Sequence, residues 1–188
     1  MSDTPPATET VATVDATRAA WLATAIGIPV FGACALILAY AAAPLVGALA
    51  PDAHAEERGW IFSAVAITNA VIALFGIALV SHTLGRALFA STRERSPAAA
   101  GAAFAVLGSV LAIIPVVIVA TGQSLPLVGG LYAALAVGLP CGLTAGLTRA
   151  VLPGVLAAGA ARLALWTGAL GYLVVIAWTA VAVFGVGR

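Results

Sequence analysis

Apolar residues fill four long stretches of this chain with no Asp, Glu, Lys or Arg among them: between Arg18 and Asp52, Arg58 and Arg86, Ser96 and Arg149, and Arg162 and Arg188. Crossing the hydrocarbon core of a bilayer takes about 20 apolar residues of α-helix. In lipid every backbone N–H and C=O must find a partner within the segment, which the helix provides. The pattern therefore predicts membrane-spanning helices, and the polar interruptions say where each one ends.

The first stretch predicts one helix over 19–50, with Pro29 inside it freeing the carbonyl of Ala25 four residues earlier and kinking the helix. After the polar run PDAHAEER a second helix is predicted over 59–82. The uncharged run from Ser96 to Thr148 is too long for one span and too short for three, and it divides at TGQSLP. That gives helices over 98–120 and 126–147. Leu152-Pro153-Gly154 reads as a break, so 150–161 is expected to be a re-entrant or interfacial piece, followed by a last span over 163–185. Residues 1–17 are rich in Thr, Ala and Pro and predict a disordered cytoplasmic tail. The fold class expected is all-α: a polytopic membrane bundle of five transmembrane helices, with 18–188 as one transmembrane domain.

Composition points the same way. Hydrophobic residues make up 63% of the chain and charged ones 8%, against about 25% charged in soluble domains. All basic residues are Arg, and their placement gives an orientation. With the N-terminus inside, Arg18, Arg86, Arg93, Arg95, Arg149 and Arg162 lie on the cytoplasmic side and only Arg58 and Arg188 outside. The expected topology is N-in, C-out, and Trp21, Trp60 and Trp166 near predicted helix ends suit an interfacial belt. The Arg, Ala and Gly bias is that of a high-GC bacterial genome, so the expected location is a bacterial plasma membrane, multi-pass. A net charge of +1 with no basic cluster gives no reason to expect nucleic acid as a partner.

The strongest local pattern lies in the fourth helix. Gly130, Ala134, Gly138, Gly142 and Gly146 recur at every fourth position, a small-residue stripe of the kind that lets helix backbones approach closely. Pro140 and Cys141, with Gly142, interrupt the same helix, and Asn69 is the one amide deep in a span. These three, Asn69, Pro140 and Cys141, are the candidates for lining a solute path, with hydrogen bonding to a neighbouring helix as the other reading of Asn69. Ser63, Thr68, Ser109 and Thr144 are expected to satisfy their hydroxyls on their own helices. His82 and Arg86 stand four residues apart, hence on one helical face, and with Arg93 and Arg95 they are expected to meet lipid headgroups or a partner at the inner surface. Cys34 and Cys141 fall at different depths, so no disulfide is expected. The loop residues Asp52, His54, Glu56 and Glu57 match no metal spacing and read as an exposed turn.

Absences narrow the function. No acid or base interrupts the predicted spans, which argues against a proton relay or voltage sensor. No nucleophile and base, carboxylate pair or phosphate loop is visible, so neither catalysis nor a cofactor is expected. The first expectation is a non-catalytic integral membrane subunit or accessory protein acting through helix packing, with the lipid bilayer, other membrane subunits or a second copy as partners. The alternative is a transport component, permease or substrate-binding subunit, for a neutral or apolar small solute. In size, span number and Ala/Gly-rich helices the chain resembles the substrate-binding membrane subunits of vitamin uptake systems, a likeness of architecture without shared motifs.

Overall fold

The computed structural model describes residues 7–92 and 94–184. These form helices α1 (Ala7–Leu49), α2 (Ala55–His82), α3 (Leu84–Ser91), α4 (Pro97–Thr121), α5 (Pro126–Ala157) and α6 (Ala161–Phe184). All but α3 are long and apolar enough to cross a membrane, giving the five expected spans. The fold is an all-α bundle with no strand among the described residues.

Local chemistry sets several helix ends. At the start of α4 the Ser96 hydroxyl accepts a hydrogen bond from the Ala99 N–H at 3.3 Å, and Pro97 takes the first helical position, where its missing N–H costs nothing. At the start of α2 the Glu57 carboxylate accepts from the His54 N–H at 2.9 Å. Glu56 and Glu57 also place negative charge at the positive end of the helix. The Ser124 hydroxyl donates to Glu57 at 3.3 Å, tying this turn to the loop between α4 and α5.

Two boundaries differ from the sequence reading. The segment read as a disordered tail is helical from Ala7 onward; the tail's residues 1–6 lie outside the described residues. The piece at 150–161 is neither re-entrant nor separate, because α5 runs on through Pro153 and Gly154 to Ala157. Buried Leu152, with Val155 and Leu156, joins the cluster built on Leu22, Ala25 and Ala164, and that burial outweighs the local breakers. The chain turns only at Gly159, whose φ of +65° needs a glycine, before α6 begins. The second span ends at His82 as expected, and a kink at Thr83 (φ −111°, ψ −96°) separates it from α3. The Thr83 hydroxyl donates to the Leu79 carbonyl at 2.7 Å, and Gly85 sits where a Cβ would lie 2.9 Å from the Val80 oxygen.

The first span occupies the centre of the bundle. Half of its most apolar window is buried, against 17% in α4 and 22% in α6. Helices α2, α5 and α6 all pack on α1, and α4 lies along α5. Helix α6 comes especially close: a Cβ at Gly168 would lie 2.9 Å from the Ala25 oxygen, and one at Gly171 would lie 2.9 Å from the Pro29 backbone. The carbonyl that Pro29 leaves without its helical donor is thus covered by a glycine of the last span.

Two wide π turns interrupt the helices, Ile72–Gly76 in α2 and Ala134–Gly138 in α5. Each offers a carbonyl to another span. The Tyr172 hydroxyl donates to the Leu74 oxygen at 3.3 Å, and the Asn69 amide donates to the Ala136 oxygen at 3.1 Å.

Candidate functional site

The small-residue stripe of α5 is an internal packing surface. A Cβ at Gly130 would lie 3.1 Å from the Ala120 Cβ, one at Gly138 3.5 Å from Val116, and one at Gly146 3.2 Å from both the Ala105 Cβ and the Gly101 oxygen. At Gly142 it would overlap the Ser109 hydroxyl. All four therefore face α4, whose own Gly101, Ala105 and Gly108 complete the contact. Ala134 does not take part: it is exposed, at the start of the π turn. Four-residue spacing drifts by about 40° per step on an α-helix, and a π turn winds back in the opposite sense. One wide turn between Gly130 and Gly138 therefore returns the later glycines to the face of the first, at the expense of the residue between them.

Of the three residues proposed to line a path, Cys141 lines the cavity described below, and Asn69 and Pro140 do not. Asn69 is wholly buried, and its bond to Ala136 has a local cause. Ala136 lies four residues before Pro140, which has no N–H to offer it. Asn69 supplies the missing donor from the neighbouring span, so the lone amide and the interior proline act as a pair. Pro140 is itself buried in the helix contacts.

The cavity, about 360 Å³, lies at the end of the bundle that carries α3. Phe31 of α1, Ile77 of α2, Phe104 and Leu111 of α4 and Cys141 of α5 contribute apolar wall. The first half of α2 contacts α4, but Ile77–His82 and α3 scarcely touch it. The cavity therefore opens sideways between α2 and α4, and Ile114 at that opening is 65% exposed.

Besides half-buried Ser81 of α2 and exposed Arg86 of α3, polar groups line the cavity on successive turns of α5: Thr144, Thr148 and Arg149. They are 5%, 8% and 5% exposed. The Arg149 Nη2 donates to the Thr92 carbonyl at 3.3 Å, and the guanidinium lies 4.8 Å from the ring centre of Phe89 and 5.9 Å from that of Phe104. Its Nε has no hydrogen-bond partner, and no carboxylate pairs with it among the described residues. The hydroxyls of Thr144 and Thr148 are likewise unpartnered. Thr144 thus departs from the expectation that its hydroxyl would bond its own helix, as Thr68 does to Ala64 at 2.8 Å. A buried cation without an anion is costly, and guanidinium groups can only donate. This stretch of α5 holds unused donors and a positive charge, and among the described residues no His, Asp or Glu lines the cavity to serve as a base.

The inner-surface candidates separate. His82 and Arg86 do not share a helical face, because the Thr83 kink lies between them. The His82 ring stands edge-on to exposed Trp21 at 4.6 Å between centroids, with its Nε2 buried and the residue as a whole half-buried. Arg86 is exposed at the edge of the cavity and Arg95 is exposed on the loop before α4; Arg93 lies outside the described residues. Sequence reading missed Thr148 and assigned Arg149 to the aqueous surface. The only signal for either was the helical spacing Thr144, Thr148, Arg149, which mattered once the helix was known to continue past 147.

Fold and site together define a helical bundle with five helices able to span a membrane and a laterally open cavity. Neither a protein-family model, nor a curated protein, nor a solved structure matches this chain.

Proposed function

We propose that this chain is a non-catalytic component of a multi-pass membrane system, in a bacterial plasma membrane, that binds a small and largely apolar molecule and so serves transport or delivery of it. The observation that carries the reading is the cavity of about 360 Å³ with its mostly apolar walls and the buried polar stretch of α5, within the range of about 300–1,000 Å³ in which proteins hold small ligands. The glycine stripe supports it indirectly. That stripe is used up between α4 and α5, so it offers no face to an outside subunit.

Cys141 makes the reading testable. It lines the cavity while Cys34 does not contribute to that wall, and both thiols are free. In phosphatidylcholine nanodiscs, Cys34→Ala protein should react at Cys141 with methyl methanethiosulfonate several-fold more slowly when twelve-carbon amphiphiles are added. Cys141→Ala protein, reacting at Cys34, should show no such protection. If no amphiphile slows Cys141, the binding role is wrong.

A further inference from the structure

We infer that the buried polar stretch of α5 is an oxyanion site, so that the molecule held in the cavity is a single-chain amphiphile with a carboxylate or phosphate head. The inference rests on the binding role proposed above and adds the chemistry of the ligand. Three side chains more than nine-tenths buried, Thr144, Thr148 and Arg149, line the same cavity, and Arg149 Nε and both threonine hydroxyls, closed off from solvent-sized space, have no hydrogen-bond partner until the side chains turn toward a ligand. Arg149 Nε can only donate, and each threonine hydroxyl has a free proton. A ligand group that completes this set must therefore accept hydrogen bonds. It must also carry negative charge, since the guanidinium has one carbonyl and two aromatic faces for company and no counter-ion among the described residues. Carboxylates and phosphates meet both demands, and their bonds to Arg are about twice as strong as neutral ones.

The rest of the ligand follows from the other walls. Beyond the threonines, α4 and α5 contribute Cys141, Leu111, Ile114 and Pro115, which have no hydrogen-bond donor stronger than a thiol, and the Ser81 hydroxyl of α2 is the other polar group of the lining besides the two arginines. An alkyl chain fits along that α4 and α5 lining and a second polar group does not. The side opening between α2 and α4 lies beside exposed apolar Ile114, on helices apolar enough to span a membrane, so in a bilayer a chain could enter tail-first from among the lipid chains. Arg86, exposed at the edge, adds a second positive charge on the route of the head.

The test compares heads on one tail, reading protection of Cys141 in Cys34→Ala protein in phosphatidylcholine nanodiscs. Laurate and dodecyl phosphate should half-protect at a concentration about tenfold lower than dodecanol, the effect of one charge-assisted hydrogen bond of about 1.5 kcal/mol. Arg149→Gln should abolish that preference and leave dodecanol unchanged, whereas Arg149→Lys should retain most of it. Thr144→Val with Thr148→Val should narrow the preference without removing it. The order of laurate and dodecyl phosphate reports which oxyanion fits better, and either order supports the site. Equal protection by dodecanol and laurate in the parent protein overturns the oxyanion site while leaving the binding role intact, and that comparison holds even if Arg149→Gln fails to fold. Protection by laurate that survives Arg149→Gln overturns it too, and reduces Arg149 to a cap on the Thr92 carbonyl. Absence of protection by every head removes the binding role itself.

Discussion

A methyl group added at Gly108 would meet the carbonyl oxygen of Cys141 at 2.6 Å, and one added at Gly142 would meet the hydroxyl of Ser109. The two collisions look alike, yet the obstacles differ in kind. Backbone cannot step aside without moving α5, whereas a serine side chain can rotate. Gly108→Ala should therefore lower stability by about 2 kcal/mol, and Gly142→Ala by well under half of that, with Ser109→Ala recovering what is lost. Gly154, which has nothing within 4 Å, is the control. Thermal unfolding in a mild detergent ranks the variants, and a Gly142→Ala as damaging as Gly108→Ala would show that Ser109 has no room to move. At this scale the sequence was informative about α5, where the repeat is regular. It was silent about α4, where Gly101, Ala105 and Gly108 follow a mixed spacing of four and three that composition disguises. Thr144, Thr148 and Arg149 were hidden for another reason: whether a polar side chain at a helix end meets water or protein depends on the neighbouring helices.

Hydropathy located the elements well, because only the length of an apolar run and its polar borders were needed. Predicted spans over 98–120 and 163–185 became Pro97–Thr121 and Ala161–Phe184. It failed where an element's end is decided elsewhere in the molecule. Leu152-Pro153-Gly154 carries local breakers, and the helix persists because Leu152 is buried against α1 and α6. The π turns left no hydropathy trace at all. One of them gives a prediction at this scale, since Asn69 donates to a carbonyl that Pro140 cannot serve. Asn69→Ala should cost about 1 kcal/mol. In a Pro140→Ala background the restored N–H can take over, so the same change should cost appreciably less. A double-mutant cycle reads the coupling, and strictly additive losses would disprove the pairing.

For the molecule as a whole, the burial of Arg149 bears on orientation. With that residue moved to the bundle interior, the inner tally becomes Arg18, Arg86, Arg93, Arg95 and Arg162 against Arg58 and Arg188. The asymmetry survives the loss. Alkaline phosphatase fused after Arg188 should accordingly be active when the chain is made in a bacterial inner membrane, and the same enzyme inserted between Thr92 and Ser96 inactive. The opposite pattern would reverse the topology without altering the cavity.

The contact between α6 and α1 has a consequence for the order of assembly. The groove on α1 that receives Gly168 and Gly171 includes the Ala25 carbonyl left over by Pro29. Its cover lies in the last span, and ribosomes add about 5–20 residues per second. For several seconds during synthesis the central helix must stand with that carbonyl uncovered, until the final helix arrives to close it. A nascent chain halted before Ala161 should thus be the form most readily held by a membrane chaperone, and release should coincide with insertion of α6.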